Sequence, residues 1–214
     1  MTGTGTDRPL PLILTGALCG LAWSASLRAY MVELAGTTSA VEWAGTFLAV
    51  LLPGAVTGGL LAWAEVLRRR GVAGRRWLSL APLTFPVAAM SMPGALEGLL
   101  TQGLGGGAIA IPLFAIVGGY ALSGLGPLAG RLVCSVVGAA FLAAIAVASP
   151  IVGGERLALT GPRGAWVAVL VCSLLAVLAA ATSIPFRPFT ALGNAHTTSQ
   201  HAAETSAWEH RTQP

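Results

Sequence analysis

Residues 43–76 read WAGTFLAVLLPGAVTGGLLAWAEVLRRRGVAGRR. The apolar stretch at 43–66 is long enough for one helical crossing of a bilayer, which takes about 20 mostly apolar residues. It ends at Glu65 and runs into a loop holding Arg68, Arg69, Arg70, Arg75 and Arg76. An apolar run closed by clustered arginine marks a membrane span with its cytoplasmic flank. Pro53-Gly54 lies mid-stretch, where a kink is expected. Proline does not veto a helix there, since neighbouring helices and local changes of winding satisfy the freed backbone groups.

Outward from this stretch, five more apolar runs fall at about 10–31, 77–96, 108–124, 131–150 and 164–185. They are continuous and rich in Ala and Leu, whereas a membrane β-barrel alternates over segments of about 10 residues. The fold class is therefore all-α, a polytopic membrane protein with about six transmembrane helices. Composition agrees. Of 214 residues 55% are hydrophobic and only 9% charged, with a mean hydropathy of +0.76, against about 25% charged in an ordinary soluble domain. The expected organisation is a short cytoplasmic N-terminus at 1–9, a six-helix transmembrane domain at 10–186 and a disordered cytoplasmic tail at 187–214. The tail is rich in Thr, Ser, Ala, Gln and His and has little to bury. The run from Leu10 to Tyr30 exceeds a signal-peptide core of about 7–15 residues and lacks a small-x-small site after it, so it reads as a retained helix.

All twelve basic residues are arginine. With the heavy use of Ala, Gly, Leu and Val, this implies a GC-rich, bacterial source and hence an inner (cell) membrane. Placing the loop after the second run in the cytoplasm puts both termini there. Arg8, Arg131, Arg187 and Arg211 then join the five loop arginines inside, nine of twelve, while Arg156 and Arg163 lie outside. The net charge of +4 is explained by this bias, so no nucleic-acid partner is expected. Cys19, Cys134 and Cys172 are far apart in apolar runs, which gives no metal-ligand spacing. No metal and no cofactor is expected. Trp23, Trp43, Trp63, Trp77 and Trp166 fall mostly near run ends, as interfacial anchors do. Gly54-x₃-Gly58 and Ala176-x₃-Ala180 have the small-residue spacing that lets helix backbones approach closely.

The external side of the first four runs carries the candidate ligand site. Arg28, Tyr30 and Glu33 close the first run; Pro93-Gly94, Glu97 and Gln102 lead into the glycines at 103 and 105–107. A charge at membrane depth costs at least about 2.5 kcal/mol unless paired or hydrated, so Arg28 and Glu97 are expected to share a pocket. Arg28, Tyr30, Glu33, Glu97, Gln102 and Gly105 are the ligand-binding candidates, and residues 93–107 can form a helix break of the kind that exposes backbone to a solute. If the protein is an enzyme, its acids are Glu42, Glu65 and Glu97. Glu65 is spaced i,i+3 and i,i+4 from Arg68 and Arg69, which also suits a local ion pair.

Six helices with Ser123-Gly124 late in the fourth resemble rhomboid intramembrane proteases. Here Ala121 holds the place of their first glycine, and His196, His201 and His210 all lie in the tail. Without an intramembrane base the serine is not activated, which excludes that chemistry. Three readings remain. The first is a permease-like or transport-associated protein with a polar external site. The second is a membrane enzyme acting on a lipid or isoprenoid by carboxyl acid/base chemistry, similar to membrane-embedded terpene cyclases in size and acid usage only. The third is a non-catalytic subunit of a membrane-protein partner. The bilayer is a partner in all three, with a small molecule or lipid as solute or substrate in the first two.

Overall fold

The computed structural model describes residues 9–72, 74–92, 94 and 106–188. Among these residues the chain is all-helical, with no strand. Helix α1 spans Pro9–Ala35. Helix α2 spans Trp43–Arg69, and α3 spans Thr84–Met90, preceded by a 3₁₀ segment at Arg75–Leu83. Helix α4 is Gly106–Leu122, α5 is Leu128–Gly153 and α6 is Pro162–Thr182. A last 3₁₀ turn at Ile184–Phe186 extends α6. Among the described residues four helical stretches are long and apolar enough to cross a membrane: Pro9–Ala35, Trp43–Arg69, Leu128–Gly153 and Pro162–Phe186. The third and fourth apolar runs give shorter helices.

Proline chemistry accounts for the irregular places. Trp43–Leu51 winds as a π-helix, and Leu52 N–H reaches back to the Phe47 carbonyl before α-geometry resumes. Pro53 has no N–H for the usual bond and its ring crowds the preceding turn, so a widened turn just before it removes the clash. The expected distortion at Pro53 is a change of winding. In the third run, Pro82 sits in the 3₁₀ segment and Pro86 in α3. Hydroxyl groups stitch this junction to α2: Thr57 donates to the Ala81 carbonyl at 3.2 Å, lies 2.8 Å from Thr84 Oγ1, and Thr84 reaches the Pro53 carbonyl at 3.4 Å.

Helices α1 and α2 run antiparallel in close contact through small residues. A Cβ placed on Gly20 would stand 2.1 Å from the Gly54 carbonyl oxygen, and one on Gly58 would stand 2.1 Å from the Gly16 oxygen. The seam is therefore Gly16-x₃-Gly20-x₃-Ser24 against Gly54-x₃-Gly58-x₃-Ala62. Backbones this near gain dispersion contacts that larger side chains would prevent. On the other side of the bundle, Gly118 of α4 lies against Ala179 of α6, and Gly119 against the Thr182 backbone. Ala176 and Ala180, whose spacing matched the same motif, both face outward.

The core lies between α1, α4 and α6, with Leu27, Phe114, Val171 and Leu175 at its centre and Leu157 plugging it from the turn before α6. Trp23 belongs to this interior and is not an interfacial anchor. Its Nε1 donates to the Leu174 carbonyl at 2.8 Å, and its ring meets Phe85 edge-on at 5.7 Å. By contrast Trp43 and Trp77 are about four-fifths exposed. Leu14, Leu18, Val136 and Ile151 are among many aliphatic side chains left open on α1 and α5. An apolar exterior of that extent suits hydrocarbon surroundings far better than water.

The two ends of the bundle differ in charge. At one end the carbonyls of Arg187 and Pro188 accept from Arg75 and Arg68. Arg131 Nε reaches the Ala121 carbonyl at this end, where Tyr120 also meets Phe186 edge-on. At the other end Arg156 Nη2 donates to the Leu34 carbonyl at 2.7 Å, capping the last turn of α1. Its guanidinium lies over Gly36, whose φ of +61° turns the chain out of the helix.

Candidate functional site

The end of α1 presents three of the residues nominated by sequence, and each has a different role. Arg28 is half-buried and engages the connection to α2. Its Nη2 donates to the Ala40 carbonyl at 2.6 Å, and Nη1 and Nε lie 3.4 Å from Ser39 Oγ and Thr46 Oγ1. A guanidinium distributed over three oxygens ties the first two helices together at this level. Glu33 pairs with Arg163 at the start of α6, at 2.9 Å. The Arg163 side chain is 59% exposed and that of Glu33 33%, so solvent screens the pair, which contributes little stability, about 0–1 kcal/mol, and mainly registers α6 on α1. Glu97, Gln102 and Gly105 lie outside the described residues, as does the pairing of Arg28 with Glu97.

Tyr30 turns inward. Its hydroxyl is 3.1 Å from Ser149 Oγ on α5, and Ser149 also donates to the Ile145 carbonyl at 3.0 Å. The two hydroxyl groups are 4% and 1% exposed by residue. Serine has one proton, so when both bonds form, Ser149 gives it to Ile145 and Tyr30 donates to Ser149. The phenolic oxygen then keeps an acceptor lone pair to which no donor among the described residues is assigned. This pair stands at the wall of a cavity of about 450 Å³ among α1, α2, α3, α4 and α5. Met31, Val50, Phe85, Ile111 and Ile145 supply apolar walls, and Gly107 opens one side. Small-molecule sites commonly measure about 300–1,000 Å³ and are mostly apolar with a few placed polar groups. Phe85, braced by Trp23, separates this cavity from a second cleft on its far side.

The nominated acids do not form a catalytic set among the described residues. Glu42 is exposed just ahead of α2. Glu65 accepts two bonds from Arg68 at 2.7 Å each and one from Arg69 at 2.9 Å, the ion-pair geometry its spacing allows. A carboxylate so held is a poor proton donor. Ser123 is buried, but it donates to the Tyr120 carbonyl at 2.7 Å and accepts from Leu125 N–H at 3.1 Å, which closes the turn between α4 and α5. Among the described residues no group of His, Cys, Asp and Glu could hold a metal ion.

Sequence reasoning nominated Tyr30 but not Ser149. A lone serine in an apolar run is ordinarily satisfied by the carbonyl four residues back, and Ser149 makes that bond as well. Its position on the face toward Tyr30 depends on how α5 packs, which no local signal records. No family model matches this chain, and no curated protein or solved structure is similar enough to count as a match.

Proposed function

We propose that the protein is a permease-like or transport-associated membrane protein whose solute is an apolar molecule with a hydrogen-bond donor at one end, such as a long-chain or isoprenoid alcohol. The observation that carries this reading is the cavity of about 450 Å³ whose walls are apolar apart from the buried Tyr30–Ser149 pair. The apolar walls favour a hydrocarbon body, and the open acceptor on Tyr30 favours a hydroxyl group. Among the described acids nothing favours a lipid enzyme working by carboxyl chemistry, since Glu65 is held by two arginines and Glu42 is at the surface, while Glu97 lies outside the described residues.

The test is transbilayer movement in vesicles. Full-length protein reconstituted in proteoliposomes should speed the exposure of a fluorescent farnesol analogue to an external quencher, relative to protein-free vesicles. Tyr30→Phe should slow it by about tenfold, the effect of losing one buried hydrogen bond of about 1.5 kcal/mol. Rates equal to those of empty vesicles would remove the transport reading.

The same proposal includes six spans with both termini in the cytoplasm of a bacterial inner membrane. Its support is the gathering of Arg68, Arg75, Arg131 and Arg187 at one end of the bundle, opposite Arg156 and Arg163, in line with the arginine rule. Reporter fusions in the loop after Arg70 and at Gly154 should lie on opposite sides of the membrane. Finding both on one side would sink the six-span topology.

A further inference from the structure

The second cleft lies between α1, α2 and α6 and measures about 290 Å³. Glu65, Leu12 and Ile184 form one end, and Trp23 and Phe85 the other. From Leu12 to Trp23 along α1 the length is about 16 Å at 1.5 Å per residue, close to half of a hydrocarbon core of about 30 Å. Its lining is almost wholly apolar and Cys19, on its wall, is exposed. The cleft therefore has the depth of one leaflet and is open toward the surrounding lipid.

Its Glu65 end is strongly basic. Arg68 and Arg69 both bond Glu65, and Arg68 and Arg75 bond the successive carbonyls of Pro188 and Arg187, close beyond Ile184. Arg76 adjoins them and is exposed. Two of these guanidinium groups, Arg68 and Arg69, hold the one carboxylate, and Arg75 and Arg76 add positive charge beside them. Burial, then the charges of Arg76 and Arg68, press the pKa of Arg75 below its ordinary value, and an anion beside the cluster would relieve that repulsion. Arg69 has its side chain half exposed at 51%, so its remaining donors can reach a ligand.

We propose that this cleft seats one acyl chain of an anionic phospholipid, with the phosphate held at the basic mouth beside Arg69 and Arg76. Basic pockets between membrane helices recognise such headgroups, and each arginine near the surface contributes about fivefold in affinity. The site is separate from the outer cavity and does not depend on the function proposed for it.

The test uses delipidated full-length protein in neutral detergent, with melting temperature followed against added lipid. Dioleoyl phosphatidylglycerol should stabilise it at lower concentration than dioleoyl phosphatidylcholine, and glycerol 3-phosphate should give no shift. Arg69→Gln, which leaves the Arg68–Glu65 pair in place, should weaken the apparent phosphatidylglycerol affinity about fivefold and leave that for phosphatidylcholine unchanged. Cys19→Phe, on the exposed wall, should abolish both lipid effects by filling the cleft. Equal response to the two lipids overturns the proposal. So does a full response to glycerol 3-phosphate, which would make the site one for free anions. An unchanged phosphatidylglycerol response in both variants would place the lipid elsewhere.

Discussion

Gly58→Ala lowers the stability of the detergent-purified protein by about 1–3 kcal/mol, whereas Gly59→Ala leaves it unchanged or slightly raises it. In a helix, alanine is ordinarily favoured over glycine by about 0.5–1 kcal/mol, so a loss at one position and a gain at the next is a sharp contrast. It follows from the seam between α1 and α2. A Cβ on Gly58 would lie 2.1 Å from the Gly16 oxygen and 2.9 Å from Gly20 backbone atoms, so the helices must separate. On Gly59 the nearest atom is Ala17 Cβ at 3.7 Å, an ordinary contact. Melting curves of the two variants beside the parent make the comparison. Equal effects would mean that α1 and α2 do not meet along this face.

The second large effect is expected at Gly107. Gly107→Phe should bring the protein-dependent movement of the farnesol analogue down to the rate of empty vesicles, at an unchanged melting temperature. Gly107 lines the cavity beside Tyr30, and a Cβ there meets nothing within 4 Å among the described residues. The aromatic ring therefore has room to enter the space assigned to the solute without displacing a helix. Ser149→Ala serves as a milder companion, since it removes the partner of Tyr30 and keeps the cavity volume. A Gly107→Phe protein that moves the probe at the parental rate would show that the cavity is not on the route.

Much of this architecture is legible in the sequence, and the illegible parts have a common cause. Among the described residues each of the six apolar runs contains helix, and four of these helices are long and apolar enough to cross a membrane, because the demand for satisfied backbone in an apolar setting leaves a lasting mark on composition. Pro82 falls in the 3₁₀ segment and Pro53 directly follows the π-helical turns, while Pro86 sits in the first turn of α3, where proline is tolerated. Which face of each helix packs inward is another matter. A soluble helix announces its buried face by contrast with polar residues, but here both faces are apolar. Gly54-x₃-Gly58 does lie at a seam, yet Ala176-x₃-Ala180 has the same spacing and faces outward, while Leu175, Ala179 and Thr182 make the contact. The partner motif Gly16-x₃-Gly20 was not singled out, since in a chain with 28 glycines such spacing carries little information. Among polar groups the pattern is similar. The spacing of Glu65 to Arg68 and Arg69 specified their ion pair, because that pairing is local. Arg28 to Ala40, Glu33 to Arg163 and Tyr30 to Ser149 depend on how segments far apart in sequence or across a turn come together.

On the proposed function, the cavity beside Tyr30 and Ser149 holds a hydroxyl-bearing apolar molecule. Site mapping with a long-chain alcohol carrying a mid-chain diazirine addresses it directly. After irradiation and proteolysis, label is expected on Met31, Ile111 and Ile145, displaced by excess unlabelled farnesol and absent in Gly107→Phe. Label confined to the outward-facing Leu14, Leu18, Val136 and Ile151, and undiminished by competitor, would show only partition into the surrounding apolar phase and would contradict it.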